Sequence, residues 1–172
     1  MLQRFRVPLG FVVAAAVLFF AIPTGISILA GLPVALLGAL FRALAAGIIK
    51  KDSQLATSGV YALTRNPLYL GSSLLAAGFA IMSASKIAAA LLLIPSGLIY
   101  PNVILKEEDH LARLFPAEFR AYKSKVPRFF PRPTRHFRPS FSRRQYLANR
   151  EYNTLFGFVG ALGFLIVKWL YF

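Results

Sequence analysis

Pro67 to Leu105 reads PLYLGSSLLAAGFAIMSASKIAAALLLIPSGLIYPNVIL, thirty-nine residues with a single charge, Lys86. The apolar run is interrupted once, by Ser83-Ala84-Ser85-Lys86. Crossing a bilayer as a helix takes about 20 mainly apolar residues. Leu68–Ser83 and Ile87–Leu105 approach that length on either side of a tight polar turn. The stretch therefore predicts two antiparallel membrane helices.

Outward from this hairpin the pattern repeats. Val7–Ile22 is apolar and ends at Pro23 and Gly25. Arg4 and Arg6 precede it as in a signal peptide, but no small-residue cleavage pattern follows, so it is predicted to be a retained span. Ile26–Ile49 is a further span with one charge, Arg42, and Thr154–Tyr171 is the last, with Trp169 and Tyr171 as interfacial anchors. The fold class is all-α: a single membrane domain, residues 1–172, of about five transmembrane helices. Ala35, Ala39, Ala43 and Gly47 recur every fourth residue and predict a face of close helix approach.

A hydrophobic share of 57% and a mean hydropathy of +0.60 exclude an ordinary soluble domain. With no cysteine, disulfides and thiolate metal sites are excluded. His110 and His136 share no metal-ligand spacing, so no metal site is expected. The net charge of +14 invites nucleic acid, but 12 of the 20 basic residues lie in Lys106–Arg150, between apolar segments. That placement suits membrane lipids with anionic headgroups, and no nucleic-acid partner is expected. Within the block, Leu111, Leu114, Phe115, Phe119 and Tyr122 mark an amphipathic surface helix broken at Pro116. The Pro- and Arg-rich segment 126–150 cannot form one helix, and it lies along headgroups or over a site as a lid. The positive-inside rule puts the N-terminus and this block in the cytoplasm, in an inner or plasma membrane.

Thr64–Gly71, TRNPLYLG, sits at the mouth of the third span. Asn66 suits an N-cap and Pro67 the first helical position. Arg65 can reach phosphates, Tyr69 can anchor at the interface and Gly71 can pack helices, so each residue has a structural reading. The set is harder to explain that way. Glu107, Glu108 and Asp109, half of the six acidic residues, end the fourth span and should return beside Asn66. A helix C-terminus disfavours carboxylates, so they call for cations, with Arg65, Arg42 and Arg128 as candidates. Arg42 lies roughly 12 Å inside the second span, where a charge either snorkels or serves a polar cavity. These residues predict a polar pocket at the cytoplasmic mouth of the bundle, opening to lipid.

Gly59, Tyr61, Arg65, Pro67, Tyr69 and Gly71 resemble the G-x-Y-x-x-x-R-H-P-x-Y-x-G pattern of isoprenylcysteine carboxyl methyltransferases and related phospholipid methyltransferases. The Glu107-Glu108 pair resembles their second motif, and Val126–Pro131, VPRFFP, their continuation. The likeness covers about Leu37 to Pro131, a core of 37–131, and leaves the span 154–171 as an addition. It implies an S-adenosylmethionine-dependent methyltransferase acting on a lipophilic acceptor that enters from the bilayer. It implies that Tyr61, Arg65, Asn66, Tyr69, Gly71, Glu107 and Glu108 bind the cofactor, with Arg42 and Arg128 as the catalytic candidates beside it. An ionised carboxylate acceptor would need no general base. Asn66 replaces the family's His and cannot titrate near neutrality, so a non-catalytic relative is one alternative. An NADPH-dependent reductase resembling sterol reductases is another, although the acidic residue and Trp that usually follow their Gly are here Ser72, Ser73 and Leu74. The acceptor and the oligomeric state are not legible in the sequence.

Overall fold

The computed structural model describes residues 6–50, 52–135 and 137–172, with side chains from Gly10 onward. Arg4, the side chain of Arg6, and His136 lie outside the described residues. Seven α-helices are described: α1 Arg6–Phe20, α2 Gly25–Ala46, α3 Pro67–Ser83, α4 Lys86–Leu114, α5 Pro116–Lys125, α6 Arg143–Ala148 and α7 Tyr152–Tyr171. One turn of 3-10 helix, Gly59–Ala62, precedes α3. The apolar helices α1, α2, α3, α4 and α7 form a membrane helical bundle. By length and composition α2, α4 and α7 can each cross a membrane. The α3 helix has 17 residues, about 25 Å at 1.5 Å per residue, a little short of the hydrocarbon core.

Local chemistry sets the helix starts. Thr24 opens α2 with a capping box shared with Ser27, and Ser85 caps α4 by accepting from Ala88 N–H. Ala84 turns the chain between α3 and α4 in the left-handed region at φ 47°. The fourth span was expected to stop near Leu105, with a separate surface helix from Lys106. Instead α4 runs on unbroken to Leu114, and the break falls at Phe115. Polar side chains change what a helix faces, not its hydrogen bonds. Only Pro116, which disfavours a helical residue before it, ends the run. Glu107 and Glu108 are therefore inside a helix rather than at its C-terminus, and the dipole penalty expected for them does not arise.

The closest packing in the bundle is α2 against α3. A Cβ on Gly78 would lie 2.5 Å from Ala35 N, and one on Gly38 would lie 2.6 Å from Gly71 O. The predicted stripe splits between two neighbours. Ala35 faces α3, while Ala39 and Ala43 line a groove with Glu151, which precedes α7, and with Thr154 and Leu155 of α7. Gly47 meets Phe141 instead. The helix advances 100° per residue, so a four-residue repeat drifts round the cylinder and does not stay on one neighbour.

The two ends of the bundle differ in charge. At one end Ile22 N–H donates to Ser83 O, and Lys168 Nζ donates to the carbonyls of Leu18 and Phe19 at the C-terminus of α1. Ala21, Ala35, Met82, Phe158 and Leu165 form the core near this end. The other end gathers residues 46–66 and 106–151, with most of the basic side chains.

Candidate active site

Thr64–Asn66 forms a junction between the loop before α3 and the chain after α5. Arg65 N–H donates to Pro127 O at 2.9 Å, Arg132 N–H to Leu63 O at 2.9 Å, and the buried Thr64 hydroxyl to Phe129 O at 2.9 Å. The VPRFFP run is thus pinned across the mouth of α3. Gly59 makes the preceding turn at φ 56°, a conformation most residues avoid, and gives its N–H to Arg138 O.

Asn66 precedes α3 as expected, but its side chain does not cap the helix. Its amide donates to Arg128 O at 2.9 Å and to Glu108 Oε1 at 3.3 Å. The amide is spent on these two acceptors rather than on the first turn of α3. Glu108 is buried at 6% exposure and becomes the hub. Arg65 Nη1 stands 3.3 Å from its Oε1, and Arg128 Nε and Nη2 each reach its Oε2 at 3.1 Å. Two cations and an amide thus offset the cost of burying one carboxylate.

Glu107, one residue earlier, points elsewhere and accepts the Tyr69 hydroxyl at 2.9 Å. Tyr69 in turn packs on Tyr100 with ring centroids 5.5 Å apart. Tyr122 donates to Tyr61 O at 2.6 Å. Around these groups lies a cavity of about 220 Å³, lined by Tyr61, Arg65, Asn66, Tyr69, Glu107 and Glu108. Leu55, Leu111 and Phe119 form its apolar wall. Asp52, at φ 58°, and His110 close one rim with a 3.0 Å contact.

Three buried donor atoms of the cavity have no hydrogen-bond partner among the described residues: the Tyr61 hydroxyl, Arg65 Nε and Arg65 Nη1. The last is near Glu108 but not aligned with it. Burial pushes the Tyr61 phenol well above its usual range, with Glu107 adding to it, so Tyr61 is a neutral donor. Burial also draws the Arg65 guanidinium down and Glu108 opposes this, which leaves Arg65 cationic at neutrality. Unmet donors of this kind cost free energy unless a ligand accepts from them.

Two candidates stand apart. Gly71 is in the α2–α3 seam, where a Cβ would lie 2.7 Å from Gly38 O, so it packs helices and does not line the cavity. Arg42 is turned to α7, with Nε and Nη2 on the two Glu151 oxygens at 2.7 and 2.9 Å and further bonds to the Ser72 and Thr154 hydroxyls. A lone cation in one span and a lone acid at the start of another were a legible signal for that pair. Tyr100 carried no comparable signal, because an aromatic residue in an apolar helix reads as packing, and Tyr122 read as part of the apolar face of a surface helix.

Beyond the Tyr69–Tyr100 wall, an apolar groove of about 420 Å³ runs between α3 and α4. Leu93, Gly97, Pro101, Ile104 and Phe129 line it, and Arg128 is its one charged lining residue. Arg128 therefore stands at Glu108 and at the head of the groove together.

The sequence that builds this cavity matches a known family. The phospholipid methyltransferase family model matches residues 10–118. The chain belongs to the phospholipid methyltransferase family. Two curated relatives are bacterial: the cobalt-zinc-cadmium resistance protein CzcN of Cupriavidus metallidurans, 42% identical over 83 residues, and the nickel-cobalt-cadmium resistance protein NccN of Alcaligenes xylosoxydans xylosoxydans, 40% identical over 83. Each match covers 48% of this chain and 38% of the relative. No solved structure matches. Membership makes this an integral membrane protein of a methyltransferase family, and most of the cavity lies within the matched residues.

Proposed function

We propose that the chain transfers a methyl group from S-adenosylmethionine to a lipophilic acceptor carrying a carboxylate. The observation that carries this is the trio of unmet buried donors, Tyr61 hydroxyl and Arg65 Nε and Nη1, in one cavity with Glu107. A ligand that suits both needs an acceptor group and cationic or hydroxyl donors on one small body. The amino-acid end and ribose of the methyl donor have these groups. Arg65 and Tyr61 would hold the carboxylate through charge-assisted hydrogen bonds. Glu107, and Glu108 within its ion pairs, would take the amino or ribose donors.

Bound there, the cofactor supplies an activated methyl carbon. The protein's part is alignment and exclusion of water. The groove between α3 and α4 takes the acceptor's apolar body. Arg128 draws an anionic head to the groove's end, and the Tyr69–Tyr100 pair forms the thin wall between head and cofactor. No carboxylate or imidazole lines the groove among the described residues. A carboxylate, already ionised, suits such a groove better than an amine, which must first lose a proton. Asn66 serves as a strut between Glu108 and the VPRFFP backbone, a task that needs no titration. Arg42 is committed to Glu151 and takes no part. The basic end of the bundle is the cytoplasmic one by the positive-inside rule, so the cavity opens to the cytoplasm. Metal resistance belongs to the relatives' names, and no three metal-binding side chains converge among the described residues.

Calorimetric titration of S-adenosylmethionine, and separately of NADPH, into detergent-purified protein tests the reading. Saturable binding of the methyl donor, lost in Arg65→Ala and Glu108→Ala while folding is kept, is expected. Binding of NADPH alone would move the chain to the reductase class. Donor binding with no methyl transfer to any lipophilic carboxylate would leave a non-catalytic relative.

A further inference from the structure

Between Glu118 and Glu151 the chain has no acidic residue and ten basic ones. The middle of this stretch, residues 126–142, is a strap whose backbone is spent on the bundle. Its carbonyls at Pro127, Phe129 and Arg138 accept from Arg65, Thr64 and Gly59, and its N–H groups at Arg132 and Ser142 donate to Leu63 and Gly47. Arg128, Phe129 and Phe141 turn toward the bundle, and other strap side chains are left outside. Phe130 is 80% exposed and Phe137 43%. Arg132, Arg135, Arg138, Arg143 and Arg144 have no carboxylate within ion-pair distance among the described residues.

The strap's level relative to the bilayer follows from its neighbours. Phe129 lines the lipid-side groove with Ile104 and Leu105, and α6 leads straight into α7, a helix able to cross the membrane. Phe130, beside Phe129, is at the level where apolar helix surface gives way to water. We propose that this strap is a docking surface for anionic lipid headgroups, with the arginines on phosphates and Phe130 inserted at the acyl boundary. Each cation near an anionic surface adds attraction that salt screens. A nucleic-acid surface would also be basic, but it has no use for a protruding phenylalanine at bilayer level. The strap carries Arg128 to Glu108, so a lipid that orders the strap also steadies one wall of the cavity.

The test uses the full chain in nanodiscs of phosphatidylcholine alone or with phosphatidylglycerol added. Trp169, at the opposite end of the bundle, is replaced by Phe, and Phe130→Trp supplies the reporter. Anionic discs should blue-shift the emission and allow quenching by brominated acyl chains, and high salt should reverse both. Arg132→Gln, Arg135→Gln and Arg138→Gln together should abolish the lipid dependence. In the unaltered protein, tryptic cleavage after Arg135 should slow several-fold in anionic discs. Equal emission and equal cleavage in the two discs at low salt would overturn the inference. So would a shift produced by a duplex oligonucleotide in phosphatidylcholine discs but not by phosphatidylglycerol. None of these measurements uses the methyl donor, so failure here and failure of donor binding are separate results.

Discussion

Removing one partner of the Arg42–Glu151 pair should destabilise the protein far more than replacing both. The two bonds are charge-assisted and bidentate, at 2.7 and 2.9 Å, and the side chains are 23% and 9% exposed. Glu151→Ala leaves a guanidinium held, among the described residues, by Ser72 and Thr154. Arg42→Ala leaves a carboxylate nearly buried with no cation. Breaking a buried pair from one side costs about 3–5 kcal/mol, and replacing both partners with apolar residues is often near neutral. The lower figure suits this pair, since Arg42 keeps some solvent. About 3 kcal/mol is on the order of a hundredfold in the folded-to-unfolded ratio. The assay is reversible unfolding in mixed micelles for Arg42→Ala, Glu151→Ala and Arg42→Met/Glu151→Leu. The double variant should recover to within about 1 kcal/mol of the parent, with S-adenosylmethionine affinity unchanged. Two results would refute the reasoning. Single losses under about 0.5 kcal/mol would mean the pair is a solvated surface contact. A stable double variant that no longer binds the cofactor would return Arg42 to the site.

Three further outcomes follow from the geometry. Gly78→Val forces side-chain atoms against the Ala35 backbone and should lower stability by about 1–3 kcal/mol or more, while Gly157→Val, in open space, should leave the melting temperature unchanged. Tyr69→Phe removes the hydrogen bond to Glu107 and should weaken donor binding by about 1 kcal/mol, roughly fivefold by calorimetry, with folding intact. Burial raises the phenol pKa of Tyr61 and of Tyr122 in the folded state. The native state then holds protons that the unfolded state loses above about pH 10, so stability should fall as pH rises past that value. Unfolding curves at pH 9 and above should show the decline, and Tyr61→Phe or Tyr122→Phe should each flatten it.

Much of the fold is legible in the residues. Apolar runs of near-bilayer length leave few alternatives to a helical bundle, because unpaired backbone groups in hydrocarbon cost too much. A four-residue polar turn makes α3 and α4 antiparallel, and that brings Glu107 and Glu108 back beside Arg65 and Asn66. The site's existence was therefore written in the order of two motifs and one hairpin. Its wiring was not. Asn66 suits a cap in isolation, yet spends its amide on Glu108 and the Arg128 carbonyl. Gly71 sits in the middle of the motif and belongs to a helix seam. Arg42 is deep in a span and could have faced the cavity. A change of about 100° per residue decides which neighbour a side chain meets, and that rotation is set by how helices pack.

The sequence alone determined the all-helical bundle, the hairpin, the charge asymmetry of the two ends and the residues that meet at the mouth of α3, since hydropathy, turn chemistry and chain reach are local properties. Only the tertiary structure decided that α4 continues past Leu105, that Glu108 rather than Glu107 is the ionic hub, and that Arg42 belongs to Glu151. Each of those depends on which faces are pressed together in three dimensions, and a charge takes the partner that packing puts within reach.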